Sequence, residues 1–130
     1  MLARVAADEN LHHLFYRDMV TAAIDVAPSD MVLAMAAQVR SFQMPGTGIP
    51  DFSGHARLIA SAGIYDLEIL YDQVVVPVVS TQWRLASIEG LTPEAERARD
   101  QVLRHIERLG KVVARQANRR AEKADTAAAR

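Results

Sequence analysis

Between Leu2 and Ala27 the chain has neither glycine nor proline, and its apolar residues recur at helical spacing until Pro28. That pattern dictates one long amphipathic helix closed by the proline. At 100° per residue, Val5, Leu11, Phe15, Tyr16, Met19, Val20 and Ile24 gather on one side, with Asn10, Arg17, Asp18, Thr21 and Asp25 opposite. Three polar residues, Asp8, Glu9 and His12, fall inside the apolar arc. Carboxylates and imidazoles turned into a core without partners cost on the order of several kcal/mol each, so such a helix needs something there to neutralise them. A metal ion meets that need. Glu9 and His12 stand one helical turn apart, and a Glu-x-x-His unit is the pair that each of two helices contributes in a di-iron bundle. Its oxygen and nitrogen donors suit non-haem iron. Glu-x-x-His also recurs by chance, and Glu9 with His13, four residues apart, would be a plain surface pair.

The rest of the chain reads as further helices. Ser29 or Asp30 is placed to cap a second helix to about Gln43, and the breaker-dense run from Met44 to Pro50 makes a loop. Ser53 would cap a short helix ending at Gly63. Asp66 would cap another running towards Ala86, kinked at Pro77, although the β-branched run Val74 to Val79 also suits a strand. After Gly90, Thr92-Pro93-Glu94 supplies a cap, a proline at the first helical position and an acid in the first turn. The last helix should reach about Arg120, burying Ala95, Ala98, Val102, Ile106, Leu109 and Val113, with a fraying Ala-rich tail beyond.

Composition closes off several classes of function. With no cysteine there is no disulfide framework, thiolate metal site or cysteine nucleophile, which leaves histidine and carboxylates as the strong ligands. A formal net charge of -1 gives the whole molecule no electrostatic case for nucleic acid or an anionic membrane. No run approaches the roughly 18 to 20 apolar residues of a membrane span, and Met1-Leu2-Ala3-Arg4 lacks the apolar core of a signal peptide. The expected setting is the cytoplasm.

The segment Ala6-Ala7-Asp8-Glu9-Asn10-Leu11-His12 resembles the second Ala-Asp-Glu-x-x-His motif of the soluble acyl-carrier-protein desaturases. Further matches follow in that family's order at Val32-Leu33-Ala34, Met44-Pro45, Gly63-Ile64-Tyr65, Trp83-Arg84 and Gly90-Leu91-Thr92. The resemblance implies an all-α fold, the C-terminal part of a ferritin-like di-iron helical bundle with additional C-terminal helices. Residues 1–120 would form that portion and 121–130 a flexible tail. It also implies a role for each site residue. Glu9 would bridge two irons, His12 would be a terminal ligand, and Asp8 would accept a hydrogen bond that orients a histidine ligand from another helix. Met44, Pro45 and Phe52 match positions in the wall of an apolar substrate channel. The reaction implied is O₂-dependent formation of a cis double bond in a chain carried on acyl carrier protein, with electrons from ferredoxin.

A complete site of this kind takes one Glu from each of two helices and a Glu-x-x-His from each of two others. Here Glu68, Glu89, Glu94, Glu96 and Glu107 are never followed by His at the third position, and His55 and His105 lack that partner. The expectation is a segment that is inert and iron-poor alone, working with an N-terminal half chain. The alternative is a remnant that serves as a non-catalytic homodimer or carrier-protein-binding module. The cations Arg97, Arg99, Arg104, Arg108, Lys111, Arg115, Arg119 and Arg120 could meet an acidic carrier protein or nucleic acid. Interspersed Glu94, Glu96, Asp100, Glu107 and Glu122 favour an ordinary solvated face.

Overall fold

The computed structural model describes residues 2–41 and 46–128, and among them every regular element is helical. In order these are α1 (Leu2–Val26), α2 (Pro28–Ser41), α3 (Phe52–Ser61) and α4 (Leu67–Leu70). Helix α4 runs on into a π-helical stretch, Tyr71–Gln82. A 3₁₀ turn at Leu85–Ser87 and the long α5 (Pro93–Ala128) complete the chain. The fold class is all-α, as the resemblance implied.

Local chemistry explains the boundaries, including those that differ from expectation. Pro28 not only ends α1 but opens α2, because a proline lacks the N–H that the first helical position leaves unpaired anyway. Ser29 therefore sits inside α2, and its Oγ accepts from the Thr92 backbone N–H at 2.9 Å, tying the start of α2 to the start of α5. The cap of α3 is Asp51, not Ser53: in a left-handed conformation (φ 54°), its carboxylate accepts from the Gly54 N–H. Beyond Ser61, the Ile64 N–H reaches the Ile59 carbonyl and the Gly63 N–H reaches that of Ala60. Gly63 takes the positive φ such a terminus requires.

Asp66 does cap α4, accepting from the Ile69 N–H at 3.0 Å. Pro77 does not kink an α-helix; it lies within the π-helical stretch, where the wider spacing relieves the clash of its ring with the preceding turn. The Thr92 Oγ1 accepts from the Ala95 N–H at 3.3 Å ahead of α5. That helix passes the expected end at Arg120 and reaches Ala128, in keeping with the high helix propensity of its Ala, Glu and Lys residues.

The core lies between α2 and α5. Val32 and Ala36 of α2 meet Ala95, Ala98 and Val102 of α5, and Leu85 and Ile88 close the gap from the 3₁₀ segment. Small side chains on both helices allow close approach, and Leu85 and Val32 fill the space left. The stripe expected on α5 is the one that packs. Ala95, Ala98, Val102 and Val113 are buried, and Ile106 and Leu109 are half-buried. Helix α1 reaches this core through its C-terminal part, where Ile24 packs against it.

Two contacts hold the π-helical segment and α4 to α5. Gly110, within α5, leaves room for Tyr71: a Cβ built there would stand 2.5 Å from the Tyr71 Oη and 2.9 Å from its Cζ. Glycine inside a helix normally costs about 1 kcal/mol against alanine, yet here overpacking of about 1–3 kcal/mol against Tyr71 opposes that gain, so Gly110→Ala should be neutral or destabilising by up to about 2 kcal/mol. In a Tyr71→Ala background the same change should become stabilising, which a double-mutant cycle of urea unfolding measures directly.

Arg120 makes the second contact, donating to Asp66 Oδ2 at 2.7 Å and to Glu68 Oε2 at 2.9 Å. The Ile69 N–H and then the Arg120 guanidinium hold the Asp66 carboxyl below its ordinary value of 3.8. An unfolded chain therefore takes up a proton here before the folded one does. The stabilisation is complete above pH 3.8 and is lost as pH falls through the depressed folded value. Acid titration of helicity should show this loss shrink in Arg120→Ala and vanish in Asp66→Asn.

Candidate metal-ligand face

Helix α1 carries Glu9 and His12 on one side, with His12 Nδ1 3.5 Å from Glu9 Oε2 and the side chains 67% and 72% exposed for His12 and Glu9 respectively. Asp8, one residue before, is exposed as well. Around them Val5, Leu11, Phe15, Tyr16 and Met19 each leave half or more of their surface in water, the Phe15 and Tyr16 rings meeting edge to face at 5.4 Å. Of the apolar arc expected to face a core, the part from Val5 to Met19 faces outward, and only Val20 and Ile24 at its end are half-buried.

The reason is geometric. The half-buried residues of α1 towards its C-terminal end include Arg17, Val20, Ala23 and Ile24, so the helix leans on α2 only through that end, and Glu9 and His12, although on the same side as Val20 and Ala23, lie in the turns beyond the contact. Nothing among the described residues covers the rest. The face combines two features that rarely share a solvated surface, a band of large apolar side chains and a carboxylate–imidazole pair set within it.

The pair fits part of a metal site. Two ligands each roughly 2.1 Å from a first-row metal stand about 3–3.5 Å apart, and Nδ1 and Oε2 are separated by 3.5 Å before any adjustment. No third donor joins them: among the described residues no group of three or more His, Asp or Glu is arranged to hold a metal. His55 and His105 are exposed on α3 and α5 and lie apart from the pair.

Of the channel residues, Met44 and Pro45 lie outside the described residues. Phe52 opens α3 half-buried, its ring turned back towards Gly46.

A feature the motifs did not flag lies where α1 meets the end of the π-helical segment. A cleft of about 430 Å³ is lined there by Thr21, Asp25, Gln82, Arg84 and Glu89 among others. The Trp83 Nε1 beside it is buried without a hydrogen-bond partner among the described residues. Arg84 holds a left-handed backbone with φ 45°, a strained conformation for a residue with a Cβ. The sequence shows only the dipeptide Trp83-Arg84, because neither the orphaned indole nor the strain has a periodic signature.

No helix among the described residues is long and apolar enough to cross a membrane. Two proteins of Mycobacterium tuberculosis, from strains CDC 1551 / Oshkosh and ATCC 25618 / H37Rv and both named "Putative acyl-[acyl-carrier-protein] desaturase DesA1", are each 40% identical to this chain over 102 residues. The match covers 78% of the chain and 30% of each relative, so the chain spans under a third of the length of the relatives it matches. The family model described as fatty acid desaturase matches residues 1–130, and the chain belongs to that family.

Proposed function

We propose that this chain is a segment of an acyl-acyl-carrier-protein desaturase that supplies one of the two Glu-x-x-His units of a di-iron site. The observation that carries the reading is the Glu9–His12 pair, spaced as ligands on one metal and framed by apolar side chains that only another set of helices would cover. Bound there, the iron pair supplies O₂ activation for removing hydrogen from an unactivated carbon chain. Glu9 would hold the metal through its anionic carboxylate and His12 through a neutral ring nitrogen. Asp8 accepts a hydrogen bond from a histidine of a facing helix and so fixes its orientation. Val5, Phe15 and Met19 keep water from the site once a partner helix lies over them. Met44, Pro45 and Phe52 are assigned to the wall of the acyl channel, acyl carrier protein and ferredoxin to the roles of substrate carrier and electron donor, and the cytoplasm to the setting.

A second reading follows from the exposed side of α1: two copies pairing through Leu11, Phe15, Tyr16 and Met19 would make a non-catalytic dimer. Co-expression with the part of the mycobacterial relative that this chain does not match separates the two. The desaturase reading requires a one-to-one complex containing iron, with a double bond formed in acyl-carrier-protein substrate as read by mass spectrometry. A stable homodimer that ignores the added segment and carries no iron refutes it.

A further inference from the structure

A second cleft, of about 410 Å³, lies between α2 and α5, away from the Glu9–His12 face. Its polar lining is cationic or neutral: Arg40 from α2, then Gln101, His105 and Arg108, which follow one another along a single side of α5. Ala36, Val39 and Val102 form an apolar floor.

The positive charge here is uncompensated. The two acids of α5 next to the cleft residues in sequence are engaged elsewhere: Asp100 pairs with Arg99 and Glu107 with Lys111. Among the described residues no ion pair takes up Arg40 or Arg108, whose side chains contact the Gln101 amide oxygen and the Arg104 carbonyl instead. On the helix surface Arg108 falls towards His105 while Asp100 and Glu107 point away from it, with Arg97, Arg104 and Arg115 in between.

We infer that Arg40, His105 and Arg108 form a binding site for a small organic phosphate monoester. Two guanidiniums from different helices can each offer a forked pair of N–H groups to phosphoryl oxygens, and their two positive charges match a dianion better than a singly charged carboxylate. The volume is in the range of small-ligand sites and far exceeds a bare phosphate. The floor of Ala36, Val39 and Val102 gives the organic part of the ester a surface to cover. The inference is independent of the metal reading, since it uses none of the α1 residues.

Calorimetric titration of the chain with n-butyl phosphate, inorganic phosphate and valerate tests it. The ester should bind at one site, about tenfold more tightly than either phosphate or valerate, and Arg40→Gln or Arg108→Gln should each weaken it about tenfold or more. Arg119→Gln, an exposed cation of α5 outside the cleft, should leave binding unchanged. Equal affinity for ester and phosphate, equal loss in Arg119→Gln, or absence of saturable binding would each overturn the assignment. All three substitutions fall on exposed side chains, so circular dichroism should show the same helicity throughout.

Discussion

Glu9→Ala and His12→Ala should each abolish iron binding in the assembled complex while leaving the fold of this chain unchanged. The two outcomes separate because the side chains are 72% and 67% exposed in the chain, so truncation removes no packing and should alter its stability by no more than about 0.5 kcal/mol. In the complex each substitution deletes a ligand outright, which should exceed the roughly 10- to 100-fold loss of affinity typical of an outer hydrogen-bond partner. Asp8→Asn, which keeps the shape but weakens the acceptor, should fall in that lower range. Iron content by elemental analysis and helicity by circular dichroism are the measurements. Iron retained at full stoichiometry in both alanine variants would remove the desaturase reading and leave the phosphate cleft untouched.

The order of those effects reflects how much of the site one sequence can display. The Glu9–His12 spacing is local, and helix geometry alone places the two side chains together, so this half of the site was legible. Their surroundings were not, because an apolar arc in a sequence says that something covers it without saying what. The arc reads as inward-facing, yet within this chain Leu11, Phe15 and Tyr16 are more than half exposed. The stripe of α5 packs as its periodicity implies for the complementary reason: Ala95, Ala98 and Val102 find their partners, Val32 and Ala36, within the same chain.

Helix boundaries show the same division. Pro93 after Thr92 and the Asp66 cap are one-turn signals and hold in the structure. Ser53 is the cap the sequence suggests, and Asp51 takes that place because of a left-handed backbone conformation that has no local signature. Pro77 announces a disturbance, but whether a helix kinks or widens depends on what packs against it, here Tyr71 over Gly110. The grip of Arg120 on Asp66 and Glu68, and the meeting of Arg40 with the α5 cations, join residues more than fifty positions apart and have no local signature.

Leu85→Ala should produce the largest loss of stability of any single truncation in the chain. The side chain is fully buried, and it wedges between α2 and α5 from a 3₁₀ turn held by few backbone bonds. Emptying that position should cost about 2–5 kcal/mol, a large share of the 5–15 kcal/mol typical of a whole domain. The urea midpoint should fall accordingly at unchanged slope, with Ala86→Gly next to it as an exposed control. Because Ile24 fastens α1 to this same core, the mutation should also loosen the base of the ligand helix. Metal bound only by the folded complex adds stability through mass action. Saturating iron should therefore recover much of the loss in Leu85→Ala when the partner segment is present, and none when Glu9 or His12 has also been replaced. Recovery that persists without those two ligands would place the iron elsewhere.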